Sequence, residues 1–385
     1  MKILEITTLL KGGSGIVTTK IATGLKKNGH SVGVVSTGVI ESLSDWNELR
    51  NELYRNGIEH YEMNFFKREH DLFWFEVKKL ATLIKKEEYD LIHVHAGVPA
   101  FAANVALEMV NMNIPIVATF HSWSPNRPEW MNIQDTWAFN HCEYVCFVSR
   151  NYMEYGKIKG IQAKSQVIYP GLWINSNKYI MNKPEIRNMI REKYNLPSNS
   201  IIISQLGEIS ERKGQIDLVY SIRDLTKKNE DLYILLIGNN TDYSGYVNRI
   251  KNEIRELNLT RNVIMTGWVE DPYEIVAASD LFIFPSYNEG LGIAILEAIA
   301  LEIPTVFSCI EGTGDIKEVL REQCFGTFEP GNLTEITKII NDMINMDSGE
   351  KRQKVKRAAN IISSTYNFNN TIKEYEELFL SILNK

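Results

Sequence analysis

The chain has 385 residues, 44% of them hydrophobic and 23% charged, with a formal net charge of −6 and an isoelectric point near 5.8. That length suits two domains with separate cores. The acidic balance argues against a nucleic-acid binder, which would show a basic face, and no apolar run approaches the length needed to cross a bilayer. The four cysteines, Cys142, Cys146, Cys309 and Cys324, lack the paired C-x-x-C spacing of a zinc site. With a first segment too short and too charged for a signal-peptide core, they point to a reducing cytoplasm.

In chain order, Lys2–Leu9 reads as an aliphatic strand. A glycine loop, Gly12-Gly13-Ser14-Gly15, leads to a helix from about Ile16 to Lys27, closed by Asn28-Gly29, and then to a strand over Ser31–Ser36. Strand, helix and strand in this order predict a parallel sheet. The loop is not a dinucleotide fingerprint: it lacks the G-x-G-x-x-G spacing, and the second strand ends Ser36-Thr37-Gly38 with no acid for a ribose hydroxyl. Its glycines still allow a phosphate or sugar to approach the backbone closely.

Residues 61–86 combine aromatics with six Lys or Arg. They read either as a helix resting on a membrane surface or lipid-linked acceptor, or as a packed helix with solvated lysines. The interspersed Glu69, Asp71 and Glu76 favour the packed helix. Asp90–Gly97 is the next strand, with His93 and His95 on one face, and a helix follows through Phe101–Val110. Pro115–Trp123 contains a strand that ends in His121, where open α/β sheets bind ligands. His121 is therefore a site candidate, His93 a filler, and His95 undecided. A metal reading of the three lacks an acidic or cysteine partner at ligand spacing.

Strands over Cys142–Ser149 and Gln166–Gly171 follow, and the polar segment Asn175–Pro184 reads as a linker. A second series then opens, with strands at Ile201–Gly207, Leu232–Gly238, Asn262–Thr266, Leu281–Phe284 and Pro304–Ser308. The fold class is thus α/β: two Rossmann-like domains, 1–175 and 185–365, facing across a cleft, with ligands expected at their interface. Arg212 and Lys213 precede a helix over Gln215–Thr226. Two cations at a helix N-terminus are unfavourable for the helix and useful for a bound diphosphate. After Leu281–Phe284, the loop Tyr287–Gly292 enters an almost wholly apolar helix, Ile293–Leu301. Gly290 and Gly292 uncover backbone N–H groups at its start. Glu289 stands in the loop and Glu297 within the helix, where a carboxylate is costly to bury unless something polar lies against it.

These elements together, namely Gly12–Gly15, Asn28-Gly-His, Thr119-Phe-His121, Gly207–Gly214, Thr266-Gly-Trp-Val and above all Glu289-Gly-Leu-Gly-Ile-Ala-Ile-Leu-Glu297, resemble the retaining GT-B-fold glycosyltransferases of family 4. The last looks like that family's E-x7-E motif, and the resemblance spans nearly the whole chain. It implies that Gly12, Gly13 and Gly15 lie by the donor diphosphate and the acceptor, and His121 by the donor sugar. Lys213, helped by Arg212, would neutralise the leaving diphosphate. Glu289 would hold sugar hydroxyls beside the N–H groups of Gly290, Leu291, Gly292 and Ile293. Glu297 would hold the ribose, and Gly267, Trp268 and Val269 would flank the base. The helix over Tyr366–Leu383, with Ile372, Tyr375, Leu378, Phe379 and Ile382 on one face, would complete the first domain as residues 366–385.

Two positions depart from the family pattern: Glu208, where an arginine is usual, and Glu302, where a glycine usually closes the helix. The implied reaction is transfer of a sugar, with retention, from a nucleotide diphosphate sugar to a hydroxyl acceptor. Arg212, Lys213 and backbone donors would supply the electrostatic help, with no metal and no cofactor required. UDP sugars are the family's commonest donors. A polysaccharide precursor, a lipid-linked glycan and a small natural product are all open as acceptor. The alternatives are a phosphorylase or sugar-phosphate synthase on the same fold, and a nucleotide-sugar-binding protein in which Glu208 has impaired catalysis.

Overall fold

The computed structural model describes residues 1–37, 46–65, 70–123, 127–239 and 245–384. Gly38, expected to close the second strand, and residues 66–69 of the aromatic–basic stretch lie outside them. The chain divides into two compact units, 1–171 with 366–385, and 172–365.

The first unit runs β1 (Lys2–Thr7), α1 (Gly12–Lys27), β2 (Ser31–Ser36), α2 (Trp46–Arg55), β3 (Glu59–Glu62), α3 (His70–Glu87), β4 (Leu91–His95), α4 (Gly97–Val110), β5 (Ile116–Phe120), α5 (Glu129–Asn140), β6 (Tyr144–Phe147), α6 (Arg150–Ile158) and β7 (Ser165–Val167). Its seven strands lie in the order β3-β2-β1-β4-β5-β6-β7, every neighbouring pair parallel. The sheet therefore grows outward in both directions from β1 and β4, and that reversal is where open sheets of this kind leave a crevice at the strands' carboxyl ends.

One face of the sheet carries Leu4, Ile6, Ile92, Val94, Ala118 and Phe120 into an apolar core shared with α3 and α4. The opposite face is polar where β1, β4 and β5 meet. Glu5, His93, His95 and Thr119 are all essentially inaccessible there, and the chain's last helix, Phe368–Leu383, covers them with Tyr375 and Phe379. That helix also lies on α1, where Gly24 leaves room for Ile372, and Asn28 and His30 meet the Glu376 carboxylate at 2.9 and 2.8 Å.

Two expectations need correction here. The glycines at 12–15 do not form a loop ahead of a helix but the first turn of α1 itself. The segment 175–184 is not a linker. It forms α7 (Ser176–Met181) and the start of α8 (Lys183–Lys193), with Pro184 in the first turn where its missing N–H costs nothing. Its polar residues face outward while Tyr179 is buried, its ring against Tyr273 and its hydroxyl donating to Asp271 at 2.9 Å.

The second unit continues with β8 (Ile201–Leu206), α9 (Gln215–Thr226), β9 (Leu232–Ile237), α10 (Tyr246–Glu256), β10 (Val263–Gly267), α11 (Pro272–Ala278), β11 (Leu281–Phe284), α12 (Ile293–Ala300), β12 (Thr305–Ser308), α13 (Glu311–Leu320), β13 (Thr327–Phe328), α14 (Leu333–Asn345) and α15 (Ser348–Thr365); the final helix, already described, is α16. The six strands are again parallel and ordered β10-β9-β8-β11-β12-β13. Both units thus have the same doubly wound plan. In the second, the reversal falls between β8 and β11, so the segments after those two strands share one crevice.

Candidate functional site

Those two segments carry the residues singled out from the sequence. After β8, Glu211–Lys213 make one 3-10 turn, and Gly214, at φ 64°, hands the chain to α9. A side chain at Gly214 would overlap the carbonyl oxygen of Pro285, at the end of β11, so glycine there is what lets the two segments touch. They are stitched further by Tyr287 N–H donating to the Arg212 carbonyl at 2.8 Å. Beyond β11, Gly312 performs the same service on the other side: a Cβ would overlap the Glu289 carbonyl.

The result is a compact ion cluster. Lys213 Nζ donates to Glu289 Oε1 at 2.6 Å, and Arg212 Nη1 donates to the same oxygen at 3.0 Å and to the Asn288 carbonyl at 2.8 Å. Lys213 also sits over the Phe284 ring, 4.8 Å from its centroid. Burial would push Glu289 up, but Lys213 and Arg212 hold it below the usual carboxylate range, so it is ionised. Burial pulls Lys213 down, against the opposing pull of Glu289. Two cations against one carboxylate leave the cluster with an excess positive charge, a setting for an anion. Glu208 is exposed; its backbone carbonyl accepts from Gln215 Nε2 at 2.9 Å, and its carboxylate adds a weaker upward pull on Lys213.

Glu297 lies in α12 and is 6% exposed. Among the described residues it pairs with Tyr273 on α11, whose hydroxyl donates to Oε1 at 2.6 Å. With no cation to offset burial, the carboxyl is pushed up to about 7. No local signal pointed to Tyr273, which comes from another helix. Gly290, Leu291 and Gly292 are buried between Glu289 and the helix start, with Gly292 at φ 86° as its N-cap and Ile293 half-buried. Gly267 ends β10, and Trp268 after it is 44% exposed with Val269 half-buried.

In the first unit, Gly12 and Gly13 face open space, whereas a side chain at Gly15 would crowd the backbone of Leu9 and Leu10. Half-buried His121 follows β5 directly. His95 is its neighbour, Nδ1 to Nε2 2.9 Å, with the rings stacked. The acid found missing at ligand spacing is supplied from β1: Glu5 Oε2 lies 2.7 Å from His95 Nε2 and 2.9 Å from His93 Nδ1. The three could be drawn as a metal-ligand set, but ligand atoms around a tetrahedral zinc stand about 3.3 Å apart. The shorter spacing is that of direct hydrogen bonds. Glu5 was legible only as a lone carboxylate in an apolar strand; nothing in the chain order pairs it with residues 93 and 95.

Two family models match: Glycosyltransferase Family 4 over residues 11–176 and Glycosyl transferases group 1 over 186–361, leaving only a short gap between them. The chain belongs to glycosyltransferase family 4, and it is a glycosyltransferase of the GT-B fold. Among curated relatives, it is 22% identical over 380 residues to the N-acetyl-alpha-D-glucosaminyl L-malate synthase of Bacillus anthracis, covering 97% of this chain and 94% of that one. It is also 22% identical to an Escherichia coli UDP-Gal:alpha-D-GlcNAc-diphosphoundecaprenol alpha-1,3-galactosyltransferase, over 79% of this chain and 78% of the other. Among solved structures, Anabaena HepE in complex with UDP and glucose superposes with a TM-score of 0.84 at 21% identity, covering 99% of this chain and all of that one.

Proposed function

We propose that the protein transfers a sugar, with retention, from a nucleotide diphosphate sugar to a hydroxyl acceptor in glycan biosynthesis. The observation that carries this is the Arg212–Lys213–Glu289 cluster at the second unit's switch point. A transition state of oxocarbenium character needs its leaving diphosphate neutralised. Lys213 and Arg212 are held where they would do so, Lys213 already largely desolvated and both ordered by Glu289, so little reorganisation is left for the reaction. They take the part a divalent metal would otherwise fill. Glu289 orders both cations and offers its second oxygen to the sugar hydroxyls, with the N–H groups of Gly290, Leu291, Gly292 and Ile293 beside it. Glu297 accepts from the ribose hydroxyls, Gly267, Trp268 and Val269 flank the base, Gly12 and Gly13 offer unobstructed backbone to the diphosphate and acceptor, and buried Gly15 seats that turn against the Leu9 and Leu10 backbone. From the first unit His121 contributes to the donor sugar.

UDP is the nucleotide we propose; the relatives whose names mention UDP and a diphosphoundecaprenol acceptor support it and favour a lipid-linked or polysaccharide precursor as acceptor. Among the described residues no helix is long and apolar enough to cross a membrane. Helix α3 buries Val77, Leu80, Ala81 and Ile84 yet leaves Trp74 43% and Phe75 60% exposed, beside exposed Lys78, Lys85 and Lys86. We propose this edge as a contact for anionic membrane surfaces; sedimentation with anionic vesicles should be weakened in Trp74→Ala/Phe75→Ala, and equal sedimentation of both proteins would remove it.

Calorimetric titration of UDP, GDP and ADP into the wild type and Lys213→Ala tests the central reading. One nucleotide should bind tightly and lose at least tenfold in affinity in the variant. Binding of none, or undiminished binding to Lys213→Ala, would overturn the assignment of the cluster.

A further inference from the structure

The buried polar face of the first unit is more than packing. Glu5, at 0% exposure, lies opposite His93 in the β1–β4 register and diagonal to His95. A continuous hydrogen-bonded row results. The Tyr375 hydroxyl meets Thr119 Oγ1 at 2.9 Å, Thr119 meets His93 Nε2 at 2.8 Å, and His93 Nδ1 meets Glu5. Glu5 then meets His95 Nε2, and His95 Nδ1 meets His121 Nε2. A carboxylate can only accept, so the direction of each bond on the His95 side is determined once the number of protons is known.

Burial pushes His95 down to about 4 and His121 well below its ordinary value, while Glu5, despite its burial, is held down at about 2 by His93 and His95. Neutral His95 has one ring proton, and Glu5 claims it at Nε2. His95 Nδ1 is then a lone pair, so the proton between the two rings belongs to His121 Nε2. Neutral His121 has no second proton for Nδ1, and that atom has no partner among the described residues.

We infer that Glu5 and His95 are positioning residues that lock His121 as its Nε2–H tautomer, presenting Nδ1 as a hydrogen-bond acceptor to a hydroxyl of the donor sugar. This rests on the proposed role of His121 at the sugar. It adds a selection rule: the group facing Nδ1 must carry a proton to donate, so a neutral sugar hydroxyl fits, whereas a carboxylate or phosphate oxygen meets a lone pair. The arrangement works as outer carboxylates do on metal-bound histidines, by occupying one nitrogen to define the other.

The tautomer can be read directly, without nucleotide or sugar, by long-range proton–nitrogen correlation spectra of the 15N-labelled full chain, with His121 assigned through His121→Asn. The wild type should show His121 protonated at Nε2 and bare at Nδ1. His95→Asn should keep that signature, because the Asn Oδ1 can stand where Nδ1 stood and accept the same proton. His95→Phe, which fills the ring's space but cannot accept, should release His121 into a mixture of tautomers. A packing role for His95 predicts the opposite order of tolerance. A wild-type His121 protonated at Nδ1, or an unchanged tautomer in His95→Phe, overturns the inference. Either result stands apart from the nucleotide titration, whose failure would instead remove the functional reading and leave the tautomer in place.

Discussion

Glu297 shows how burial and function pull in opposite directions at one residue. Its carboxyl titrates near 7 in the folded chain and near 4.5 unfolded. The folded state therefore binds the extra proton between those values, and stability falls as pH rises through that window, by about 3 kcal/mol in all. Glu297→Gln should accordingly be more stable than the wild type at pH 8 and indistinguishable from it at pH 4.5, measured by urea unfolding. It should also bind nucleotide more weakly, since the carboxylate needed for the ribose is gone. The histidines give the reverse sign. His95 titrates near 4 folded against 6.5 unfolded, so the unfolded chain binds more protons between them, and stability is lost as pH falls from about 6.5 to 4. Thermal melts of the first unit across that range should flatten in His95→Asn; an equally steep loss would place the acid sensitivity elsewhere. Glu289→Ala should lower turnover by orders of magnitude, because it removes both the sugar contact and the group that orders Lys213 and Arg212. Turnover near the wild-type rate would take Glu289 out of the reaction.

At the scale of an element, α12 ends in a turn whose geometry opposes its residue type. Ile303 N–H donates to the Ala298 carbonyl at 3.1 Å and Glu302 N–H to Ile299 at 2.9 Å, the bonding of a Schellman cap, which asks for a left-handed residue between them. Glu302 occupies that position at φ 57°, where a Cβ is unfavourable. The helix end expected from the sequence is present, and its cost is now visible. Glu302→Gly should stabilise the second unit by roughly 1 kcal/mol, read as a raised melting temperature; a lowered one would mean that the glutamate contributes contacts that outweigh the strain. The strands were the most legible elements, with Leu281–Phe284 found at the limits read from its apolar run. The start of α1 was misread because glycines suggest a loop, yet the close approach to the Leu9 and Leu10 backbone is made by a helical turn. The 175–184 segment was misread because half of an amphipathic surface helix is polar, and its anchor Tyr179 is a single residue.

For the whole molecule, the chain returns to its beginning. Helix α16 buries Ile372, Tyr375, Leu378, Phe379 and Ile382. At about 1.5–3 kcal/mol for each large apolar side chain, the sum is of the order of a domain's entire stability. Its Thr371 hydroxyl ties to the Tyr169 carbonyl at 2.8 Å, and its start packs on Gly171. Deleting residues 366–385 should abolish the first unit's unfolding transition in calorimetry and leave that of the second; survival of both would show that α16 is dispensable to the first core.

The sequence by itself determined the strand-and-helix alternation, hence two parallel doubly wound sheets, and the chemical types at the second unit's crevice. Those signals are local: period, apolar runs, glycines, and cations beside a helix start. Only the tertiary structure decided which charges neutralise which. Lys213 and Glu289, Tyr273 and Glu297, and Glu5 with His95 are each brought together from elements distant in the chain. A parallel sheet joins strands through long crossovers, so neighbours in space carry no fixed spacing in sequence.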